Sequence, residues 1–231
     1  MRLCQSWRLR KMAAKVPANG ADLNGLVISG TTPTITIGDA GTEDAKIVFD
    51  GNAQDFHIGM DDSVDDLIIG KGSALGTTSN IVIDENGHVT MPLQPAFLVN
   101  SSGVTNFATG QWNTLTFDTE REDKNGDFAS NTFTAPVTGM YLLTAWIYYQ
   151  NMDSAAASIE TWFYASNRTE GIMVNSPGQD LSADAAYQGY SGSIVMDMDA
   201  NDTVYIRMYQ DAGTAQMDLN VTSAFAGCLL A

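Results

Sequence analysis

Between Thr31 and Met91 the chain repeats one pattern: a cluster of two or three β-branched, aromatic or aliphatic residues, then Gly, Asp or Asn. The clusters fall at residues 35–37, 47–49, 56–58, 67–69, 81–83 and 89–91. Their spacing of roughly 8–14 residues, with turn-forming residues between, predicts six successive β-strands. No apolar period of about 3.6 residues survives these breaks, so helix is excluded. About 60 residues with so few core-grade side chains cannot close a two-layer core of their own. The expectation is therefore an elongated stalk in which strands of several chains intertwine about a common axis, Ile, Val and Leu inward and Asp outward.

Pro92 and Pro95 end that pattern, since proline is kept out of central strands. Longer, aromatic strands follow in "YLLTAWIYYQ" (141–150), "IETWFYA" (159–165), residues 194–198 and "TVYIRMY" (203–209). Many strands, turn signals between them and no convincing helix predict an all-β sandwich. The organisation expected is a tail over residues 1–30, a repetitive β stalk over 31–92 and a head over 93–231.

Within the head, Phe117, Asp123, Phe128, Phe133, Gly139 and Tyr141 carry a recognisable spacing, with "FTAPVTGMY" at its centre. "YSGSIVMDMDANDTVYIRM" and the ending "SAFAGCLLA" follow in order. Together these segments resemble the C1q-like globular domain. The resemblance implies a ten-stranded jelly roll that assembles as a homotrimer, with the stalk in the place of that family's collagen-like tract. A trimeric head would hold three stalk chains in register. Phe128, Phe133, Gly139, Tyr141, Phe225 and Gly227 read as structural core. Gly139 is expected to take positive φ before a new strand, and Gly227 to permit a close backbone approach.

Charge changes the picture next. The chain carries 27 acids against 11 bases, a formal net charge of −16. Arg2, Arg8, Arg10, Lys11 and Lys15 crowd the first fifteen residues, leaving six bases beyond them. No basic footprint remains for a nucleic-acid backbone. No stretch reaches the roughly 20 apolar residues that span a bilayer, so membrane insertion is not expected. "MRLCQSWRLRKM" lacks the apolar centre of a secretion signal, and Met12 is as good a start as Met1. Cys4 and Cys228 do not make a disulfide framework; Cys228 reads as a free buried thiol.

Candidate chemistry is sparse. "DKNGD" sets Asp123, Asn125 and Asp127 at alternate positions, the residues that would hold calcium if any do, although Gly126 and Thr134 do not match an EF-hand loop. "MDDSVDDL" reads as a solvated acidic turn, and His57 and His88 as surface histidines. "GYSGS" has no strand-to-helix elbow for a nucleophile, and the head holds no histidine, so no enzyme is expected. Recognition by loops is the alternative. The candidate loops are 119–127, 151–157, 167–188 and 211–218, the third being the longest, with Arg168, Tyr187 and Tyr190 as receptor-binding residues.

The function expected is a trimeric virion structural protein of a phage, a fibre or tip with an adhesive head. It would be made in the host cytoplasm and carried on the particle. Its tail would join other virion proteins, and its head a host-surface glycan or protein. The alternative is a secreted or surface-bound bacterial adhesin of the same fold.

Overall fold

The computed structural model describes residues 27–230; the tail segment with Cys4, Trp7 and Met12 lies outside the described residues. Five strands open the fold: β1 (Ala45–Phe49), β2 (Phe56–Asp61), β3 (Asp66–Lys71), β4 (Ser79–Ile83) and β5 (Val89–Thr90). They lie side by side in sequence order as one antiparallel meander. The cluster at 35–37 carries no strand; Gly38 at φ 93° and Ala40 at φ 66° turn the backbone out of extension just after it. The other five clusters lie on strands that neighbour one another within the chain. Each strand pairs with its own chain, because its turns are short and well supplied with caps. In the β2–β3 hairpin Asp65 takes φ 57°, and Asp61 Oδ1 accepts from Ser63 N (3.1 Å) and Ser63 Oγ (2.6 Å).

The register sorts the meander's side chains onto two unlike faces. Phe49 opposes Phe56, Ile47 opposes Ile58, Ile58 opposes Ile69, and Met60 opposes Leu67. Ile81 and Ile83 continue the same face through Ile69 and Leu67. This face is bare: Phe49 is 55% exposed and Phe56 48%. On the other face His57, Gly59, Ile68 and Gly70 are buried, and the following loop lies over them. A Cβ on Gly59 would come within 2.9 Å of Leu75. His57 is thus not a surface residue. Its Nδ1 pairs with the Gly72 carbonyl at 2.8 Å and its Nε2 has no partner. His88 is exposed and bonded to Asp84 at 2.9 Å.

The sandwich follows as β6 (Ala96–Asn100), β7 (Trp112–Thr114), β8 (Thr119–Asp123), β9 (Phe128–Ala129), β10 (Thr132–Thr134), β11 (Gly139–Met152), β12 (Ser158–Ala165) and β13 (Thr169–Asn175). A single helical turn, α1 (Pro177–Asp180), precedes β14 (Ala185–Met198), β15 (Thr203–Asp211), β16 (Asp218–Leu219) and β17 (Ala224–Leu229). One six-stranded sheet runs β13-β12-β15-β10-β9 with β7 on β15; the other runs β14-β11-β17-β6-β8 with β16 on β11. The meander and the sandwich fall in one compact unit, Ala40–Ala231.

Between the two sheets sits an aromatic core. The Phe97 ring packs at 4.7 Å on Phe133, 4.9 Å on Phe225 and 5.1 Å on Phe128. Phe133 meets Tyr141 at 5.5 Å, and Tyr141 donates its hydroxyl to the Val137 carbonyl at 2.7 Å. Gly227 lies against this cluster so closely that a Cβ there would stand 2.6 Å from the Phe97 ring. Gly139 does not take positive φ. It is the first residue of β11, paired in extended backbone with Met198.

Candidate functional site

The register of β14 on β11 orients the head. Ala96, where the chain enters the sandwich, lies opposite Cys228, which lies opposite Leu142. The Met140–Asp197 pair marks that same entry end, and the Gln150–Tyr187 pair the far end. Asp123, Asn125 and Asp127 belong to the entry end. The Lys124 amide donates to the Ala96 carbonyl (3.1 Å) and Asn125 Nδ2 to the Leu93 carbonyl (3.3 Å).

These three residues make a capped turn. One Asp123 carboxylate oxygen accepts from the Asp127 amide (3.0 Å) and the other from the Phe128 amide (2.9 Å), while Gly126 supplies φ 73°. Asp127 keeps one buried carboxylate oxygen, Oδ2, without a hydrogen-bond partner. Burial, then the neighbouring Asp123 charge, holds its carboxyl above the ordinary value. No group of three or more His, Cys, Asp or Glu placed to hold a metal occurs among the described residues.

The proposed receptor residues do not share one place. Arg168 pairs with Asp197 at the entry end. Tyr187 is ten residues up β14 from Asp197, roughly 30 Å away at the rise of a β-strand. The segment 167–188 is not a long loop but β13, α1 and the start of β14. Its polar residues still alternate along paired strands, which reads as loop only while no partner strand is known. Likewise 119–123 is β8, whereas 151–157 and 211–218 do cap the far end. There Asn106, Asn151, Asp184 and Gln216 line a polar cleft of about 410 Å³. Its one acid, Asp184, and the nearby Asp218 are already engaged. Asp184 accepts from Gln216 Nε2, Ser154 N and Ser154 Oγ, which hold its carboxyl below the ordinary range. Asp218 accepts from the Asn106 amide and Asn151 Nδ2.

Tyr187 belongs to something larger. Residues on the outer face of the β14-β11-β17-β6 sheet form a bare apolar surface, with Leu98, Met140, Trp146, Tyr187 and Val195 all exposed. Trp146, Tyr148 and Tyr187 stack as a ladder, with centroids 6.4 and 5.8 Å apart. Gly189 makes the room, since a Cβ there would be 2.8 Å from the Trp146 ring. Cys228 is on the same face, a free thiol only partly buried. Tyr190 points the other way: half-buried, it accepts from Asn175 Nδ2 at 2.8 Å and lies 6.4 Å from the Tyr149 ring.

Sequence reading passes over the opposite sheet, where Arg207 is held between two rings. Its guanidinium lies 3.6 Å from the Tyr164 centroid and 4.1 Å from that of Trp112. The signal was present in "TVYIRMY": strand alternation puts Tyr205, Arg207 and Tyr209 together on one face.

Comparison with known proteins follows the fold. The C1q domain family model matches residues 96–230. Among solved structures, the globular domain of zebrafish complement 1qA is 18% identical, with a TM-score of 0.45, covering 60% of this chain and 98% of that one. A crystal structure of murine APRIL is 12% identical with a TM-score of 0.42, covering 59% of this chain and 99% of that one. No curated protein matches the chain. The family match takes in more than half of the chain and both sheets of the sandwich, from β6 to β17, and on that match the chain belongs to the C1q domain family.

Proposed function

We propose that this chain is one third of a homotrimeric, non-enzymatic recognition protein carried on a phage particle. The meander is its shaft, and the C1q domain is a head that adheres to a glycan or protein of the host surface. The observation that carries this reading is a pair of bare apolar sheet faces in one compact unit. One lies on the meander around Phe49, Phe56 and Ile58; the other lies on the head around Trp146, Tyr187 and Val195. Apolar patches beyond a few hundred Å² mark interfaces in soluble proteins. A cyclic arrangement of identical copies covers both faces at once and closes without leaving either free. The acids crowd the meander's turns, at Asp50, Asp55, Asp62 and Asp65, outside such a bundle.

Light scattering of the full chain should report about three times the 24.8 kDa chain mass. A stable monomer would remove the assembly. The virion location is tested separately, by labelling purified particles with antibody against the head. Label on the surface of uninfected bacteria instead would replace the virion reading with the bacterial adhesin.

A further inference from the structure

The geometry points to a binding platform for carboxylated glycans on the outer face of the β12-β15 sheet, built around Arg207. The proposal deepens the recognition reading and rests on it. Along β15 Val204, Ile206, Met208 and Gln210 turn inward and are buried, so Tyr205, Arg207 and Tyr209 turn outward. On β12 the same alternation turns Trp162 and Tyr164 outward. The register then sets Trp162 directly opposite Arg207 and Tyr164 opposite Tyr205, and Trp112 of β7 opposite Tyr209. The outcome is a strip of aromatic rings around one cation. Trp112 and Tyr209 have centroids 5.3 Å apart, and Tyr164 and Tyr205 5.2 Å.

Two features make this strip more than a patch of strand aromatics. The first is the state of Arg207. The chain has 27 acids for 11 bases, yet the ion pairs among the described residues are Arg168 with Asp197 and His88 with Asp84. Arg207 has no carboxylate, and its Nε is buried without a hydrogen-bond partner. Glu160, on the same face, accepts at Oε2 from Trp162 Nε1 at 3.0 Å. A guanidinium clamped between two rings is preorganised to take a carboxylate with its fork, and its position is already set by stacking.

The second feature is the exposure of the rings. Trp112 is 41% exposed. Trp162 lies along Gly171 of β13, where an added Cβ would stand 3.5 Å from the ring. Flat π surfaces at the edge of water suit the apolar C–H face of a pyranose ring, and tyrosine hydroxyls beside them suit its OH groups. A saccharide with a carboxylate uses both halves of the strip at once: ring on ring, acid on Arg207. The platform lies on the sheet opposite the bare Trp146–Tyr187 face, so copies assembled through that face leave it open.

The test uses the full chain with two defined probes, tetragalacturonate and its carboxyl-reduced neutral counterpart, followed by calorimetry and tryptophan fluorescence. Tetragalacturonate should bind at least tenfold more tightly than the neutral tetramer. Arg207→Gln should remove that preference, and Arg207→Lys should restore only part of it, because an ammonium cannot reproduce the stacked fork. Trp112→Ala should weaken both probes. Sialyllactose against lactose repeats the comparison with a different acidic sugar. Equal affinity for acidic and neutral probes, a preference that survives Arg207→Gln, or no binding of either acidic saccharide would each overturn the platform. The oligomeric mass and near-ultraviolet circular dichroism of Arg207→Gln, unchanged from wild type, keep the result from being one of misfolding. Failure of the platform with an intact trimer that still attaches to host cells would leave the recognition reading standing.

Discussion

β2 in the meander and β11 in the sandwich have the same alternating pattern and opposite fates. Along β11 Tyr141, Leu143, Ile147 and Tyr149 are fully buried, because a second sheet lies across that face. Along β2 Phe56, Ile58 and Met60 point to one face in the same way and remain exposed. Among the described residues before Phe97, Ile68 alone joins the buried apolar set, under the loop that covers the other side of the meander. Alternation makes a strand; what lies across the face decides whether it makes a core. Complete burial of one such side chain contributes about 1.5–3 kcal/mol. The meander's bare face therefore holds stabilisation that a lone chain does not realise.

The sharpest way to test that contrast is to remove one ring from each region. Phe225→Ala should cost about 3–5 kcal/mol, since Phe225 is fully buried against Phe97, Phe117, Phe128 and Phe163. Denaturant unfolding followed by tryptophan fluorescence measures it. Phe56→Ala should cost about 1 kcal/mol or less in a lone chain, because its ring is half in water already. Equal losses at the two positions would mean that the meander face is as well packed as the head.

Ile58→Asp sharpens the comparison from the other side. In an isolated meander a charge at this partly exposed position is tolerated. In a bundle of copies it is a buried charge without a partner, which opposes assembly by several kcal/mol. The expected result is a lower mass by light scattering with the sandwich still folded. An unchanged trimer would take the meander face out of the assembly.

Gly227→Ala, a smaller change, asks how tightly the sandwich is packed. The added methyl would stand 2.6 Å from the Phe97 ring and 2.8 Å from Leu143, and overpacking of this kind costs about 1–3 kcal/mol. A neutral result would mean that Phe97 has room to move.

How far the residues themselves announced this structure follows the same division. Five of the six apolar clusters in the meander lie on its strands, because Gly, Asp and Asn mark hairpin turns from local geometry alone. What cluster spacing cannot carry is which strand pairs with which; an in-chain meander and an intertwined stalk have the same turns. In the head, the spacing of Phe133 and Tyr141 carries the fold because those two rings meet in one core, with Gly139 opening the strand between them. Site residues were less legible. Arg168 and Tyr187 are close in a sequence read as a loop, but β13, α1 and β14 carry them to opposite ends of the sheet. Arg207 meets Trp112 across 95 positions of chain, which only the β7–β15 pairing brings together.

The smallest expected effect separates the entry-end turn from a metal site. Asp127 has a folded-state carboxyl raised above its ordinary value, first by burial and then by the charge of Asp123, with Asn125 opposing the shift. A raised folded-state value means that the folded chain holds this proton more tightly than the unfolded one. The associated stability is fully present below the ordinary carboxylate value of 3.8 and is lost as the pH rises through the raised value. At neutral pH the ionised Asp127 is therefore a small liability. Asp127→Asn should raise the Tm slightly at pH 7, and the difference should shrink as the pH falls toward 3.8. Calcium at millimolar concentration should leave the wild-type Tm where it is, because both Asp123 oxygens already accept from backbone amides. A calcium-dependent rise in Tm that Asp127→Asn abolishes would reverse the assignment: the paired acids would then be ligands whose mutual repulsion a cation relieves.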